Sequence, residues 1–138
     1  MRNNAKYILI ISAILLIYSC ATTQPADEKK YDMDDQLELV SDINKYRLIS
    51  WETVDHQSFV LKTGVSECYL IVLIRPSSLL MSCDSISISS TGSTVKSGFD
   101  DVTVVSSGMK ESYRIHKIYK LKDSQQTKEI KAQLSGKK

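Results

Sequence analysis

Five side chains in this chain of 138 residues are best suited to covalent or metal chemistry, namely Cys20, Cys68, Cys83, His56 and His116. Zinc binds cysteine thiolates and histidine imidazoles, and its ligands usually come in close pairs such as C-x2-C or H-x3-H. No two of these five residues have that spacing. The sequence therefore predicts no metal site, and we expect no cofactor.

The sequence also lacks two common signatures of nucleophilic and phosphate chemistry. Neither G-x-S-x-G, which presents a nucleophilic serine, nor G-x-x-x-x-G-K, which cradles phosphates, occurs in it. Cys68 and Cys83 lie outside any catalytic cysteine motif. We therefore expect that the chain is not an enzyme and that it has no catalytic residues.

Cys20 has the strongest claim to a chemical role because of the residues that precede it. Residues 7–18 form an apolar run, with Arg2 and Lys6 before the run and Ser19 after it. This arrangement is typical of a secretory signal peptide. With a cysteine after the small residue, it resembles a bacterial lipobox, whose cysteine is lipidated and becomes the new N-terminus. We expect cleavage before Cys20 and lipidation of Cys20.

The apolar run has twelve residues, whereas a membrane-spanning helix needs about 20. Acyl chains on Cys20 would therefore attach the protein to a membrane. In bacterial lipoproteins the next residue influences sorting, and by resemblance to that pattern Ala21 favours the outer membrane, with the protein facing the periplasm. We expect a signal peptide at 1–19, a lipidated N-terminus and flexible tether at 20–40, and one small β-rich domain at 41–138.

Cys68 and Cys83 would both remain in the processed chain. In an oxidising periplasm, such a pair can form a disulfide, provided that the two Cα atoms come within about 7 Å. The residues alone leave three alternatives open, which are a disulfide, two free buried thiols, or one reactive cysteine.

Charge is spread unevenly along the chain. Without the signal peptide, acidic and basic residues are equal in number, which argues against non-specific nucleic-acid binding because that binding needs many lysines and arginines. Residues 20–55 hold nine acids and four bases, whereas residues 110–138 hold nine bases and three acids. Either these segments lie near each other or are simply solvated, or the basic segment meets an anionic envelope component such as lipid head groups.

Short segments rich in β-branched and aromatic residues, separated by turn residues, predict a mainly β fold. We expect strands at 46–54, 58–63, 68–74, 85–89, 102–105 and 113–121. Their number and spacing indicate a small antiparallel β-sandwich or barrel-like sheet. The continuous apolar run at 69–74 predicts a central strand covered on both faces, with Leu70 buried. The alternation at 85–89 directs Ile86 and Ile88 to the core.

Helical patterns flank the predicted strands. Met33, Leu37 and Val40 are spaced as in a weak helix over residues 33–46. After residue 121 the pattern predicts a C-terminal α-helix of about three turns, capped by Asp123 or Ser124 and ended by Gly136.

Two features, a set of aromatic side chains and one turn motif, each have a structural and a binding interpretation. Trp51, Tyr46, Tyr69, Tyr113 and Tyr119 are expected to pack in the core, the alternative being a platform for a glycan or peptide. The motif at 97–101 is expected to be a tight turn, in which Gly98 takes a positive φ and Asp100 bonds to backbone N–H groups, the alternative being a ligand-contacting loop.

The pattern of residues from about Ile43 to Leu121 resembles a group of uncharacterised proteobacterial lipoproteins, known only as a domain of unknown function. The residues that carry the resemblance are Tyr69, Leu70, Leu73, Arg75, Pro76, Ile86, Ser97, Gly98, Phe99, Asp100, Val102, Val104, Tyr113, Arg114, Ile115, Ile118, Tyr119, Lys120 and Leu121. The resemblance implies a secreted or lipid-anchored β-rich domain with no assigned activity. Several members carry a cysteine pair where this chain has Ser77–Ser78 and Tyr113. Because the family's cysteines fall elsewhere, the resemblance favours free thiols at Cys68 and Cys83.

These observations predict a lipid-anchored protein of the cell envelope that serves as a binding or structural module. Its expected partners are the membrane, through the acyl chains on Cys20, and an envelope protein or glycan, with no nucleic acid. The alternative is a periplasmic enzyme inhibitor. Inhibitors of that type resemble this chain in size, but their Ser-Gly-x-x-Tyr loop does not match Ser107-Gly108, which four residues separate from Tyr113. An enzyme is the third interpretation.

Overall fold

The structure, a computed structural model, describes residues 29–136, and the residues from Tyr31 onward form one compact unit. Its strands are β1 (Glu38–Val40), β2 (Asp42–Ile43), β3 (Ser50–Thr53), β4 (Ser58–Lys62), β5 (Cys68–Leu73), β6 (Ser85–Ile88), β7 (Val95–Lys96), β8 (Asp101–Ser106) and β9 (Met109–Leu121). A short 3₁₀ helix, Leu80–Ser82, lies between β5 and β6, and the α-helix α1 (Ser124–Ser135) follows β9.

An antiparallel sheet in the order β3-β4-β5-β9-β8-β6 dominates the unit and curls into a half-barrel. β1 pairs with one end of β9, and β2 and β7 form a separate two-stranded ribbon. The predicted mainly β fold with one C-terminal helix is confirmed, in its barrel-like form.

β9 is the strand on which the sheet is assembled. Residues 109–114 pair with β8, residues 115–121 pair with β5, and residues 118–120 also pair with β1. The register with β5 shifts where Val72 faces Lys117 but Leu73 faces Ile115, so that His116 is the extra residue of a β-bulge. A bulge bends and twists its strand, which lets one long strand serve partners that point in different directions.

Both faces of the sheet are covered, and β5 shows this most directly. Its side chains alternate between two apolar clusters: Ile71 and Leu73 belong to the first cluster, and Leu70 and Val72 belong to the second. All four are fully buried. The expectation of a central strand covered on both faces is confirmed for β5, although Ile74, just beyond it, is exposed.

The first cluster fills the inside of the curl. Its buried residues are Ile43, Phe59, Leu61, Tyr69, Ile71, Leu73, Leu79, Leu80, Ile86, Val95, Val102, Val104, Tyr113, Ile115 and Ile118. Ile86 is buried and Ile88 packs half-buried against the cluster, while Ser85 and Ser87 are exposed. The alternation predicted for this strand is therefore confirmed.

The second cluster lies on the outer face of the sheet, beneath α1. It contains Tyr31, Met33, Leu37, Val54, Val60, Leu70, Val72, Tyr119, Leu121, Ile130 and Leu134. Asp123 caps α1 by accepting a hydrogen bond from the Gln126 N–H at 2.7 Å, and Gly136 ends it at φ +66°. Both predicted caps are confirmed.

The motif at 97–101 is the tight turn expected from its residues. Gly98 has φ +72°, a conformation that glycine adopts without steric cost. The buried Asp100 carboxylate accepts hydrogen bonds from the Lys96 N–H at 2.8 Å and the Ser89 hydroxyl at 2.6 Å. Asp100 therefore ties the turn to the end of β6, and the structural interpretation is confirmed.

The helix predicted for residues 33–46 is wrong, because this segment forms β1 and β2 instead. Met33, Leu37 and Ile43 of this segment are buried through contacts that the spacing could not reveal, whereas Leu39 is exposed. Tyr31, Met33 and Leu37, which fall within the expected tether, belong to the second cluster. Tertiary packing thus overrides the weak helical stripe.

The hydroxyl of Tyr119 holds this N-terminal segment against β9. It accepts a hydrogen bond from the Met33 N–H at 3.2 Å, and it lies 2.8 Å from the Tyr31 carbonyl and 2.7 Å from Asp34 Oδ1. Burial raises the pKa of Tyr119, and the hydrogen bond from Tyr119 lowers the pKa of Asp34. We call this set of contacts the Tyr119 clasp.

Lys117 adds charge to the same junction. Its Nζ lies 3.4 Å from Asp32 Oδ1 and 3.4 Å from Asp34 Oδ1. Lys131 on α1 likewise forms an ion pair with Glu52 on β3. Basic residues of the C-terminal segment thus lie beside acidic residues of the N-terminal segment, as the first explanation of the uneven charge requires.

Replacing Tyr119→Phe should lower the free energy of unfolding by about 1–3 kcal/mol, because the buried Met33 N–H and Tyr31 carbonyl lose a partner. The pKa of folded Asp34 lies below its usual 3.8. The stability that Asp34 contributes is therefore present above pH 3.8 and is lost as the pH falls through the folded-state pKa. The difference between wild type and variant should narrow in acid, as measured by urea unfolding across the acid range.

Tyr69→Phe is the matched control, since no hydrogen bond to the Tyr69 hydroxyl is found among residues 29–136. If Tyr119→Phe unfolds at the same urea concentration as Tyr69→Phe at neutral pH, the clasp does not stabilise the domain.

Candidate functional site

The chemically capable residues that the structure describes lie on separate elements of the fold. Cys20 lies outside the described residues. His56 is in the turn between β3 and β4, and His116 is at the bulge in β9. Within residues 29–136, no group of three or more histidine, cysteine or acidic residues could hold a metal ion.

Cys68 and Cys83 are unlinked, and the fold separates them. Cys68 begins β5 and packs against the second cluster, whereas Cys83 packs against the first cluster. The strand after Cys83, β6, pairs with β8 and not with β5. Cys83 Sγ donates a hydrogen bond to the Leu80 carbonyl at 3.1 Å, and burial raises the pKa of its thiol. The thiols therefore lie on opposite faces of the sheet.

The five aromatic side chains that could have formed a binding platform are buried or half-buried in the core. Tyr69, Tyr113 and Tyr119 are buried, and Trp51 and Tyr46 pack half-buried against the first cluster. The packing interpretation is confirmed for all five. The Arg75 guanidinium lies 4.5 Å from the Tyr113 ring centroid, in a cation–π contact.

A groove runs between α1 and the outer face of β3 and β4. Two cavities form it, of about 480 Å³ and about 630 Å³, and they share Glu52, Lys128 and Lys131 as lining residues. We call this surface the helix groove, and its two parts the first and second cavity. Cavities of about 300–1,000 Å³ are typical of small-molecule sites.

The helical repeat explains why α1 lines the groove with polar side chains. Lys128, Lys131 and Ser135 follow Ser124 at intervals of four, three and four residues, so they share one face of the helix. Ile130 and Leu134 occupy the neighbouring face and anchor it in the second cluster. Burial of those two side chains therefore fixes the height at which the lysines stand above the sheet.

The first cavity has an apolar floor and a basic rim. Leu121, which is buried, and Cys68, which is half-buried, lie at its base, and Val65 projects beside it with 97% exposure. Four lysines line the cavity, which are Lys62, Lys122, Lys128 and Lys131.

Acidic groups at the first cavity are already engaged. Glu52 forms the ion pair with Lys131, and Asp123 caps α1 through the Gln126 N–H. No ion pair to Lys62, Lys122 or Lys128 occurs among residues 29–136. The first cavity therefore combines apolar contact area with an excess of positive charge.

The second cavity has a different character. Asp55 and His56 line it together with Met81, which is 52% exposed. The Asp55 carboxylate accepts hydrogen bonds from the Gln57 N–H, the Ser58 hydroxyl and the Tyr31 hydroxyl at 2.7–2.9 Å. These bonds join the β3–β4 turn to the N-terminal segment, so Asp55 has a structural role.

Sequence patterns did not reveal the helix groove. The excess of basic residues in 110–138 was the only signal, and it pointed to Lys122, Lys128 and Lys131. Lys62 and Cys68 come from strands 60 residues or more from Lys128 in sequence, and nothing in their local pattern links them to the helix. Only the packing of α1 on the second cluster brings these groups together.

Comparison with known proteins yields a family without an assigned activity. The family described as "Family of unknown function (DUF6491)" matches residues 2–137. The expectation of such a family is confirmed, while the proteobacterial lipoprotein character of its members stays a prediction. No curated protein and no solved structure matches the chain. In residues 29–136, no helix combines the length and apolar character needed to cross a bilayer.

Replacing both Cys68→Ala and Cys83→Ala should leave a folded protein that loses about 1–2 kcal/mol of stability through packing alone. Loss of a native disulfide would cost about 2–5 kcal/mol. Urea unfolding of wild type with and without reductant provides the control, because reductant should not change it. A quantitative Cys68–Cys83 crosslink in non-reduced peptide maps would contradict this prediction.

Proposed function

The chain belongs to DUF6491, a family of unknown function, and we propose that it is a lipid-anchored binding module of the cell envelope. One observation carries the anchor: Cys20 follows Ser19 at the end of an apolar run that begins after two basic residues. A lipidated cysteine needs this arrangement, because the signal peptide must be recognised and cut directly before it.

The second part of the proposal is that the domain binds and does not catalyse. The helix groove supports binding, since it offers two cavities of small-molecule size beside a helix that packs on the sheet through Ile130 and Leu134. Its side chains include lysines and a half-buried thiol, but the acidic groups beside them are occupied by an ion pair or by a helix cap. The partner would be an envelope protein or glycan.

The third part of the proposal is the location, which is the periplasmic face of the outer membrane. Ala21 after the cysteine is consistent with that sorting, by resemblance to other lipoproteins. The described domain starts at Tyr31, ten residues after Ala21. The residues in between would tether the domain to the membrane in which the acyl chains are embedded.

Replacing Cys20→Ala should abolish incorporation of labelled palmitate and leave uncleaved or mis-sorted precursor, because no cysteine remains to be acylated. The measurement is palmitate labelling and fractionation of cells that express the full-length chain. Cys68→Ala is the matched control and should label like wild type. Wild-type protein that takes up no label and fractionates as soluble would contradict the anchor.

A photo-reactive amino acid at position 128, inside the helix groove, should crosslink to an envelope component in intact cells. The same amino acid at position 110, on the far β8–β9 hairpin, is the control and should give no such product. Equal crosslinking from both positions, or none from position 128, would contradict a binding role for the groove.

A further inference from the structure

We propose that the first cavity of the helix groove is a binding site for a small amphipathic anion, a phosphate or carboxylate group carried on a short apolar body. This inference rests on the proposal that the helix groove binds, and it adds a small ligand to the envelope protein or glycan proposed above. Such a site requires an apolar contact surface and an anion-binding rim, and different side chains of the cavity supply each.

The floor of the cavity fits the apolar part of such a ligand. Cys68 is half-buried and presents part of its surface to the cavity, while Leu121, 2% exposed, closes the floor beneath it. Val65, with 97% of its surface exposed, stands beside them. An exposed valine next to an apolar floor gives an alkyl group a place to leave water. The cavity's volume of about 480 Å³ accommodates a ligand of modest size.

The rim of the cavity fits the anionic part. The rim is lined by Lys62 of β4, by Lys122 between β9 and α1, and by Lys128 of α1. Among the described residues these three have no ion pair, whereas Lys131 is paired with Glu52. The N-terminal end of α1, at Ser124, adds a partial positive charge to the same cavity. The Asp123 carboxylate, which caps the helix, offsets this partial charge, so the excess positive charge of the rim comes from the lysines.

A cavity with both an apolar floor and a basic rim is more selective than a cavity with only one of these features. A purely inorganic anion would leave Val65 and the floor in water, and an apolar molecule without charge would leave three lysines unpaired. Two sources supply the required chemistry, a diffusible organic phosphate or the head group of an anionic lipid. The proposed anchor would place the cavity near such lipids, so the experiment must separate the two sources.

Cys68 provides a direct reporter of occupancy, and Cys83 on the opposite face provides an internal control. The full-length protein in phosphatidylcholine vesicles is treated with iodoacetamide, and the modification rate of each thiol is followed by mass spectrometry. Hexyl phosphate, at about ten times its dissociation constant, should slow modification of Cys68 about tenfold. Modification of Cys83 should not change.

Two control ligands test the apolar and the anionic requirement of the site separately. Inorganic phosphate lacks the apolar body, and hexyltrimethylammonium carries the same body with the opposite charge, so neither should protect Cys68. Vesicles in which phosphatidylglycerol replaces half of the phosphatidylcholine test the lipid source. Protection by these vesicles identifies a lipid head group as the ligand, and protection by hexyl phosphate alone identifies a diffusible one.

A pair of double variants tests the rim. Lys122→Gln with Lys128→Gln should raise the hexyl phosphate concentration for half-protection about tenfold, because two exposed charge contacts together contribute about that factor. Lys96→Gln with Lys110→Gln makes the same change in net charge on exposed residues outside the cavity and should have no effect. Val65→Ser, at an exposed position, should weaken hexyl phosphate binding without unfolding the domain.

The proposal is overturned if hexyl phosphate fails to protect Cys68, if it protects Cys83 equally, if the cation protects as well as the anion, or if both double variants behave alike. Failure of the anchor is separate from these outcomes. A chain without lipid on Cys20 would still show Cys68 protection, measured in buffer in place of vesicles.

Discussion

The backbone pairing along β9 is the constraint on which the rest of this structure depends. One strand of thirteen residues carries β5 on one side and both β1 and β8 on the other. A straight strand could not serve these partners, and the bulge at His116 supplies the bend. Because strand twist has a fixed hand, the bend curls the sheet inward. The curl encloses the first cluster and leaves the outer face of β4, β5 and β9 without cover.

The outer face of the sheet must be covered by the segment before β1 and by α1 after β9. Leu70, Val72 and Tyr119 are fully buried on the outer face, which requires cover from elsewhere in the chain. The N-terminal segment supplies part of it, fastened by the Tyr119 clasp, and α1 supplies the rest through Ile130 and Leu134. A helix laid on a twisted sheet contacts it along only part of its width. The helix groove is the space that remains along the edge of α1 toward β3.

The charges follow from the same arrangement. The N-terminal segment is acidic and the C-terminal segment is basic, and both lie on the outer face, where Lys117 meets Asp32 and Asp34. These are largely exposed pairs, and each contributes little to stability. Four lysines line the first cavity together with two acidic residues, Glu52 and Asp123. A nearly neutral domain can therefore hold a local excess of positive charge.

Local patterns in the sequence were enough to predict the elements whose cause is local. The alternation around Ile86 set one strand, the run at 69–74 set another, and Asp123 and Gly136 bounded α1, because period, caps and turn residues act over a few positions. The sequence also carries the argument for Cys20, which depends on neighbouring residues alone. The remaining features depend on tertiary contacts. The short strands β1, β2 and β7 form only because partners distant in sequence pair with them, so residues 33–46 became strand and not helix. The separation of Cys68 from Cys83, and the meeting of Lys62 with Lys128, depend on which strands are neighbours and on where α1 docks, and strand order is a property of non-local pairing that no local pattern encodes.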